Sequence, residues 1–219
     1  MPDTNARIES VVSAPFDQNA YVAWRTGSDA ALVIDPGFDT AGIERVLRAN
    51  GLRVEAILNT HGHADHIAGN ARMKAVYPDA PLVIGANEAA LLTDAEANLS
   101  SGFGIALRSP PADRLVAEGE TLEVAGFALR VLEIPGHSPG SVVYVAEDLR
   151  PAVAFVGDVI FAGSVGRCDF PGGDARRLIA GIRGKLFRLS DETVLLPGHG
   201  PATTIGEERR TNPYAGLGE

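Results

Sequence analysis

Apolar positions along the chain follow two periods. Ile8 to Val12, Tyr21 to Trp24 and Ala31 to Ile34 are short runs rich in β-branched and aromatic residues, broken by turn residues such as Gly27-Ser28-Asp29, and they predict strands. Thr40 to Asn50 places Ile43, Val46 and Leu47 at helical spacing, with Gly51 as a stop, and predicts a helix. Ala56-Ile57-Leu58 predicts a buried strand and Ile67 to Val76 a helix; Pro81 to Gly85 and Glu88 to Leu92 predict a short strand and a short helix. Residues 98 to 112 show no periodicity, and a stretch that long suits either a flap over a site or a plain connector. Thr121 to Val124 and Phe127 to Ile134 predict a hairpin about Ala125-Gly126, and Val142 to Ala146 and Val153 to Val156 predict two further strands. Asp174 to Phe187 is an amphipathic pattern with Leu178, Ile182 and Leu186 on one face. Thr193 to Leu196 predicts the last strand, and Thr203 to Glu207 reads as a capping box opening a terminal helix, Ile205 to Arg210. No break in composition marks a second domain, so residues 1–219 are expected to form one α/β domain.

Polar residues interrupt this pattern in a systematic way. Thr60-His61-Gly62-His63-Ala64-Asp65-His66 follows an apolar strand and precedes a helical pattern. Side chains there project into the crevice where open α/β folds place ligands. Imidazole and carboxylate are the usual donors to zinc and iron. His61 and His63 alternate on an extended segment and can point the same way; Asp65 and His66 come where the chain turns, toward a second locus. Four donors split in this way suggest two ions. The chain has five histidines, and three of them lie here, which argues against a chance surface cluster. The other two, His137 and His199, each sit in a Pro-Gly-His turn after an apolar run, and Asp158 follows Gly157 after another.

The bulk composition narrows the setting. With 219 residues, 45% of them hydrophobic and 21% charged, the chain is expected to be a soluble globular protein. No apolar run is long enough to span a bilayer. The first residues, Met1 to Arg7, lack the basic and apolar regions of a secretory signal. The single cysteine, Cys168, excludes an internal disulfide; together these features predict a cytoplasmic protein. A net charge of −9 argues against a nucleic-acid partner. Oligomeric state is left open.

The series H-x-H-x-D-H at His61, His63, Asp65 and His66, followed by His137, Asp158 and His199, resembles the metallo-β-lactamase-fold hydrolases without a gap. The resemblance implies a four-layer αββα sandwich with a dinuclear site at one edge. It implies His61, His63 and His137 on one metal, Asp65, His66 and His199 on the other, and Asp158 bridging. The segments Gly163 to Asp174 and Pro197 to Pro201 and the tail Gly206 to Tyr214 are most similar to short glyoxalase II-like proteins. Two departures stand out: residues 1–219 are expected to form a domain without the C-terminal helical domain that supplies most glutathione contacts in full-length glyoxalase II, and Cys168 stands where the family usually carries Ser or Thr.

That resemblance implies two divalent ions, zinc first, with iron or a mixed pair as alternatives. Metal coordination lowers the pKa of water to about 7. The expected reaction is attack of a metal-bridging hydroxide on a small-molecule thioester such as S-lactoylglutathione, with Asp65 orienting the nucleophile and Asp158 holding the pair of ions. A thiolate leaves with a pKa of about 8.5 and needs little proton donation, which agrees with the lack of a spare histidine. The alternatives are a persulfide dioxygenase-like enzyme with one iron, a lactonase or a β-lactamase of the same fold; a nuclease is disfavoured by the charge. Among other residues, Asp35 is expected either to orient the ligand loops or to cap a turn. Arg167 is expected to pair with Asp169 or Asp174, the alternative being a clamp on a substrate carboxylate. Cys168 is expected to be a small buried thiol, reactive only if exposed beside positive charge. Phe161 and Phe170 are expected to pack in the core, the alternative being a cleft wall.

Overall fold

The computed structural model describes residues 5–218. One six-stranded sheet runs in the order β1 (Ala6–Ser13), β2 (Gln18–Arg25), β3 (Ala30–Ile34), β4 (Arg53–Leu58), β5 (Leu82–Gly85) and β6 (Arg114–Val116). Its first three strands are antiparallel and β3 to β6 are parallel. The strands that follow in the chain are β7 (Thr121–Val124), β8 (Phe127–Glu133), β9 (Val142–Ala146), β10 (Val153–Gly157), β11 (Ile160–Phe161), β12 (Ser164–Val165), β13 (Val194–Pro197) and β14 (Thr203–Thr204). All but β11 and β12 form a second sheet, ordered β14-β13-β10-β9-β8-β7; β11 and β12 make a small hairpin.

Strand alternation explains how the layers stack. Side chains of one parity, including Tyr21, Leu32, Ile34, Leu58, Leu129, Val131, Tyr144 and Phe155, meet between the two sheets. The opposite parity of the first sheet, such as Val22, Val33 and Ile57, packs on Ile43 and Leu47 of α1 (Thr40–Ala49), Ile67 of α2 (Ala64–Ile67) and Met73 of α3 (Asn70–Val76). The opposite parity of the second sheet, such as Val143, Val145 and Ala154, packs on Leu178 and Ile182 of α5 (Ala175–Gly184) and Ile205 of α6 (Ile205–Thr211). The remaining helix, α4 (Ala89–Thr93), follows β5. The result is the expected αββα sandwich. Central strands are buried on both faces, which is why β3, β9 and β10 read as unbroken apolar runs.

Three differences from the sequence expectation have identifiable causes. The helix predicted over Ile67 to Val76 starts earlier and is broken, as α2 and α3, at Gly69. There the backbone N–H donates to Pro36 O at 2.7 Å, and a side chain would run into the Pro36 and Gly37 carbonyls. The edge strand β6 goes unpredicted because it is three residues long, with Leu115 half exposed. The helix predicted to Phe187 ends at Gly184 and tightens into a 3-10 turn over Leu186–Arg188. Its start is as expected: Asp174 accepts from the N–H groups of Arg176 and Arg177. Thr204 likewise caps α6 by accepting from Glu207 N at 3.2 Å.

The topology collects the chemistry at one edge. β8, β10 and β13 run in the same direction, since β9 is antiparallel to both β8 and β10, and β10 is parallel to β13. Their C-terminal ends therefore deliver His137, Asp158 and His199 to one side. The end of β4 delivers the 60–66 turn to that same side, and Val142 N donates to Thr60 O at 2.8 Å, joining the two sheets there.

Candidate metal centre

All seven predicted donors converge. His61, His63 and His137 form one set, Asp65, His66 and His199 a second, and His61, His66 and Asp158 a third; within each set the donor atoms lie within 4.8 Å of one another. Asp158 stands between the outer two sets. Its Oδ1 is 3.3 Å from His66 Nε2, and its Oδ2 is 3.5 Å from His137 Nε2 and 3.6 Å from His199 Nε2. Asp65 Oδ2 is 3.2 Å from His199 Nε2.

Hydrogen bonds from behind orient the rings. Asp35, at the end of β3, accepts from Thr60 N at 2.7 Å, Thr60 Oγ1 at 2.6 Å and His66 Nδ1 at 3.0 Å. The Thr60 hydroxyl proton goes to Asp35, so Thr60 Oγ1 accepts from His61 Nδ1 at 3.1 Å. His137 Nδ1 donates to Arg167 O at 2.9 Å, and His199 Nδ1 to Phe16 O at 3.0 Å. Four imidazoles thus have Nδ1 committed to the protein and Nε2 turned toward the other donors, and of these the Nε2 atoms of His61 and His66 have no hydrogen-bond partner. His63 is the exception: its Nδ1 faces His137 Nε2 at 2.9 Å.

The residues fit a pair of cations. His61 Nε2, His66 Nε2 and Asp158 Oδ1 are buried with no hydrogen-bond partner. Buried polar atoms left bare are costly, and three lone pairs pointing into one space are what a divalent ion would satisfy. Glycine permits the close approach, because a Cβ at Gly198 would collide with Asp158 Oδ1 and His66 Cε1.

Electrostatics divide the cluster. Burial, then the positive charge of neighbouring imidazoles, holds His61 well below its ordinary pKa and takes His63 down to about 3; burial also lowers His137. Burial opposes charge on His66 and His199 too. There it is outweighed, by Asp65 and Asp158 beside His66 and by the Asp65 hydrogen bond to His199, and both are raised. Burial would raise Asp65 and Asp158, but the His66 charge dominates and both are lowered. The metal-free cluster therefore pairs two carboxylates with protonated imidazoles on the same side.

Other residues fall into place around this centre. Of the two roles open to Asp35, the ring-orienting one is what its hydrogen bonds describe. Arg167 makes the expected pair with Asp169, through two bonds of 2.7 and 2.6 Å. Cys168 is half-buried, and burial, then the charges of Asp174 and Asp169, pushes its thiol pKa up. Phe161 and Phe170 are not core residues: with Phe16, Leu99 and Phe103 they line an open cleft of about 400 Å³ over the donors. The 98–112 segment is more than a connector, since Leu99 and Phe103 are part of that wall and Asn98 O accepts from Ala64 N at 3.0 Å. Sequence reading passes over Thr60 and Glu88. Glu88 is fully buried and accepts from Gly62 N at 2.8 Å, Ser138 Oγ at 2.8 Å and Gly140 N at 2.5 Å, tying two donor-bearing turns together. The available signal is a lone acid inside an apolar helix pattern.

A sequence profile described as the metallo-β-lactamase superfamily matches residues 14–199. The chain belongs to this superfamily. It is 35% identical over 214 residues to the hydroxyacylglutathione hydrolase GloC of Haemophilus influenzae, covering 94% of this chain and 97% of that protein. It is 37% identical over 201 residues to a probable metallo-hydrolase, YqgX, of Bacillus subtilis, covering 91% of this chain and 93% of that protein. Among solved structures, the BLEG-1 B3 metallo-β-lactamase superposes with a TM-score of 0.90 at 36% identity, over 95% of this chain and 99% of that one. TTHA1623 in a di-iron-bound form superposes with a TM-score of 0.81 at 35% identity, over 94% and 99%. ETHE1 from Myxococcus xanthus superposes with a TM-score of 0.78 at 26% identity, over 95% and 84%. The protein is a metallo-hydrolase of this superfamily whose His and Asp groups suit a dinuclear centre. No helix among the described residues is long and apolar enough to cross a membrane.

Proposed function

We propose that the protein hydrolyses thioesters of the S-lactoylglutathione kind at a dinuclear centre. The observation that carries this reading is the position of Asp158, 3.3 Å from His66, 3.5 Å from His137 and 3.6 Å from His199, beside two donor sets that together consume all five histidines. His61 Nε2, His63 Nδ1 and His137 Nε2 would hold one ion, Asp65, His66 and His199 the other, and Asp158 would reach both. Zinc is the first candidate, with iron or a mixed pair as the alternatives. Divalent ions bound there would supply Lewis acidity toward a carbonyl and bring the pKa of water to about 7.

The chain's own groups do the rest. Asp65 lines the open cleft and would accept a hydrogen bond from an attacking water, which fixes the orientation of the nucleophile. Asp35, Thr60 and the Phe16 and Arg167 carbonyls hold the rings in the tautomers that leave a lone pair inward. No histidine is left over as a general acid. That suits a thiolate, whose pKa of about 8.5 lets it depart without a proton, better than it suits an amine or alkoxide. GloC being a relative along nearly its whole length supports the same substrate chemistry.

The test is turnover of S-lactoylglutathione by the zinc- or iron-loaded protein, with Asp65→Asn and Asp158→Asn as controls. Failure to cleave any acyl thioester would defeat the reading. The likeness to ETHE1 favours a second reading, a single-iron oxidation of persulfides. One iron per chain, with oxygen uptake on glutathione persulfide, would decide for it.

A further inference from the structure

The walls of the cleft describe what its substrate looks like beyond the reacting bond. Phe170 lies edge-on to the His63 ring at 5.4 Å and to the His137 ring at 6.1 Å. On the opposite flank Phe161 faces the His199 ring at 6.0 Å. Phe103, 60% exposed, packs edge-on against Phe16 at 5.1 Å and lines the same cleft. Aromatic surface therefore reaches to the donors on both sides. Among the described residues that line the cleft, the only cationic side chain besides the histidines is Arg167. Its guanidinium binds both oxygens of Asp169 and lies 4.2 Å over the Phe170 ring, so it is already engaged. A glutathione moiety carries two carboxylates and one ammonium, and on the cleft walls it meets no cationic side chain other than the donor histidines and the Asp169-paired Arg167, on a chain of net charge −9.

Resting on the thioesterase reading above, we infer that the cleft selects its substrate by an apolar acyl group held among Phe16, Phe103, Phe161 and Phe170, and not by the carboxylates of glutathione. The acyl chain is one bond from the reacting carbonyl. In either orientation of the thioester it lies against one of the two rings that flank the donors. Phe103 and Phe16 are then specificity residues, and the chemical class is alkanoyl or aroyl thioesters whose thiol portion is of little consequence. A cleft of about 400 Å³ is within the usual range for a small ligand.

The experiment is a matched series on the metal-loaded protein. Acetyl, butanoyl, hexanoyl and benzoyl thioesters of N-acetylcysteamine vary the acyl group on a neutral thiol. Lactoyl thioesters of N-acetylcysteamine and of glutathione vary the thiol alone. The expected result is a kcat/KM that climbs about two- to fourfold per methylene from acetyl to hexanoyl, in line with burial of apolar carbon. The two lactoyl thioesters should differ by less than about threefold. Phe103→Ala should cut the hexanoyl-to-acetyl ratio at least threefold, and Phe103→Arg should shift preference toward the glutathione thioester. A flat acyl series, an unchanged ratio in Phe103→Ala, or a threefold or greater preference for the glutathione thioester would overturn the inference while leaving thioester hydrolysis standing. Silence on every member of the series would overturn both.

Discussion

Replacing Asp35 by Asn isolates one hydrogen-bonding group behind the metal donors. Asp35 sits at φ 48°, in the left-handed region, which Asn tolerates about as well as Asp, so the backbone is not the variable. The carboxylate is buried and accepts three donors: Thr60 N at 2.7 Å, Thr60 Oγ1 at 2.6 Å and His66 Nδ1 at 3.0 Å. An amide cannot accept on both sides. With its oxygen toward Thr60 Oγ1 and His66, its NH₂ confronts the Thr60 N–H and displaces the segment that carries His61. With the amide reversed, His66 must accept at Nδ1, which puts its proton on Nε2, the nitrogen required by a cation. Either way one donor is spoiled. Loss of such a charge-assisted bond is worth about 1.5–3 kcal/mol, or roughly 10- to 100-fold in metal affinity. The assay is zinc titration against a chromophoric chelator, with a thermal melt to confirm folding. An Asp35→Asn protein that folds and binds both ions within about threefold of the parent would refute the role assigned to Asp35.

Other outcomes follow from the same geometry. Glu88→Ala strands Gly62 N, Gly140 N and Ser138 Oγ in the interior, at about 1–3 kcal/mol each, and should lower the melting temperature by at least about 6 °C; an unchanged melt would count against the clamp. Gly198→Ala should reduce bound metal with secondary structure intact, since its Cβ would collide with Asp158 and His66; full metal content by mass spectrometry would count against this packing. Metal uptake should release protons near neutrality, because His66 and His199 are raised above their ordinary values in the metal-free cluster and must shed protons to ligate. Affinity therefore weakens as pH falls. Calorimetry in buffers of different ionisation enthalpy reads the number released, and a value of zero at pH 7 would contradict the assignment.

How much of this is legible without coordinates depends on how far apart the cooperating residues lie along the chain. Short-range stereochemistry leaves direct traces. The Pro-Gly-His turns at His137 and His199, the packed 60–66 turn and the cap at Thr204 are all local, and each is found where its pattern places it. The break at Gly69 has no such trace, because its cause is the backbone of Pro36 and Gly37 pressing from another element. Phe161 and Phe170 illustrate the same limit. Apolar type leaves core packing and a cleft wall both open, with the core favoured, and only the convergence of four turns decides for the wall.

By itself the sequence determines the strand and helix alternation and singles out seven candidate donors, since both are written in residues close together or in a repeated strand–turn syntax; the αββα layering is an implication of the family resemblance. The tertiary structure alone decides which nitrogen each ring turns inward and which carboxylate stands between the sets. Asp35 reaches His66 across 31 positions and Phe16 O reaches His199 across 183. Those pairings arise from the common direction of β8, β10 and β13 and the docking of the two sheets, and local periodicity carries no information about either.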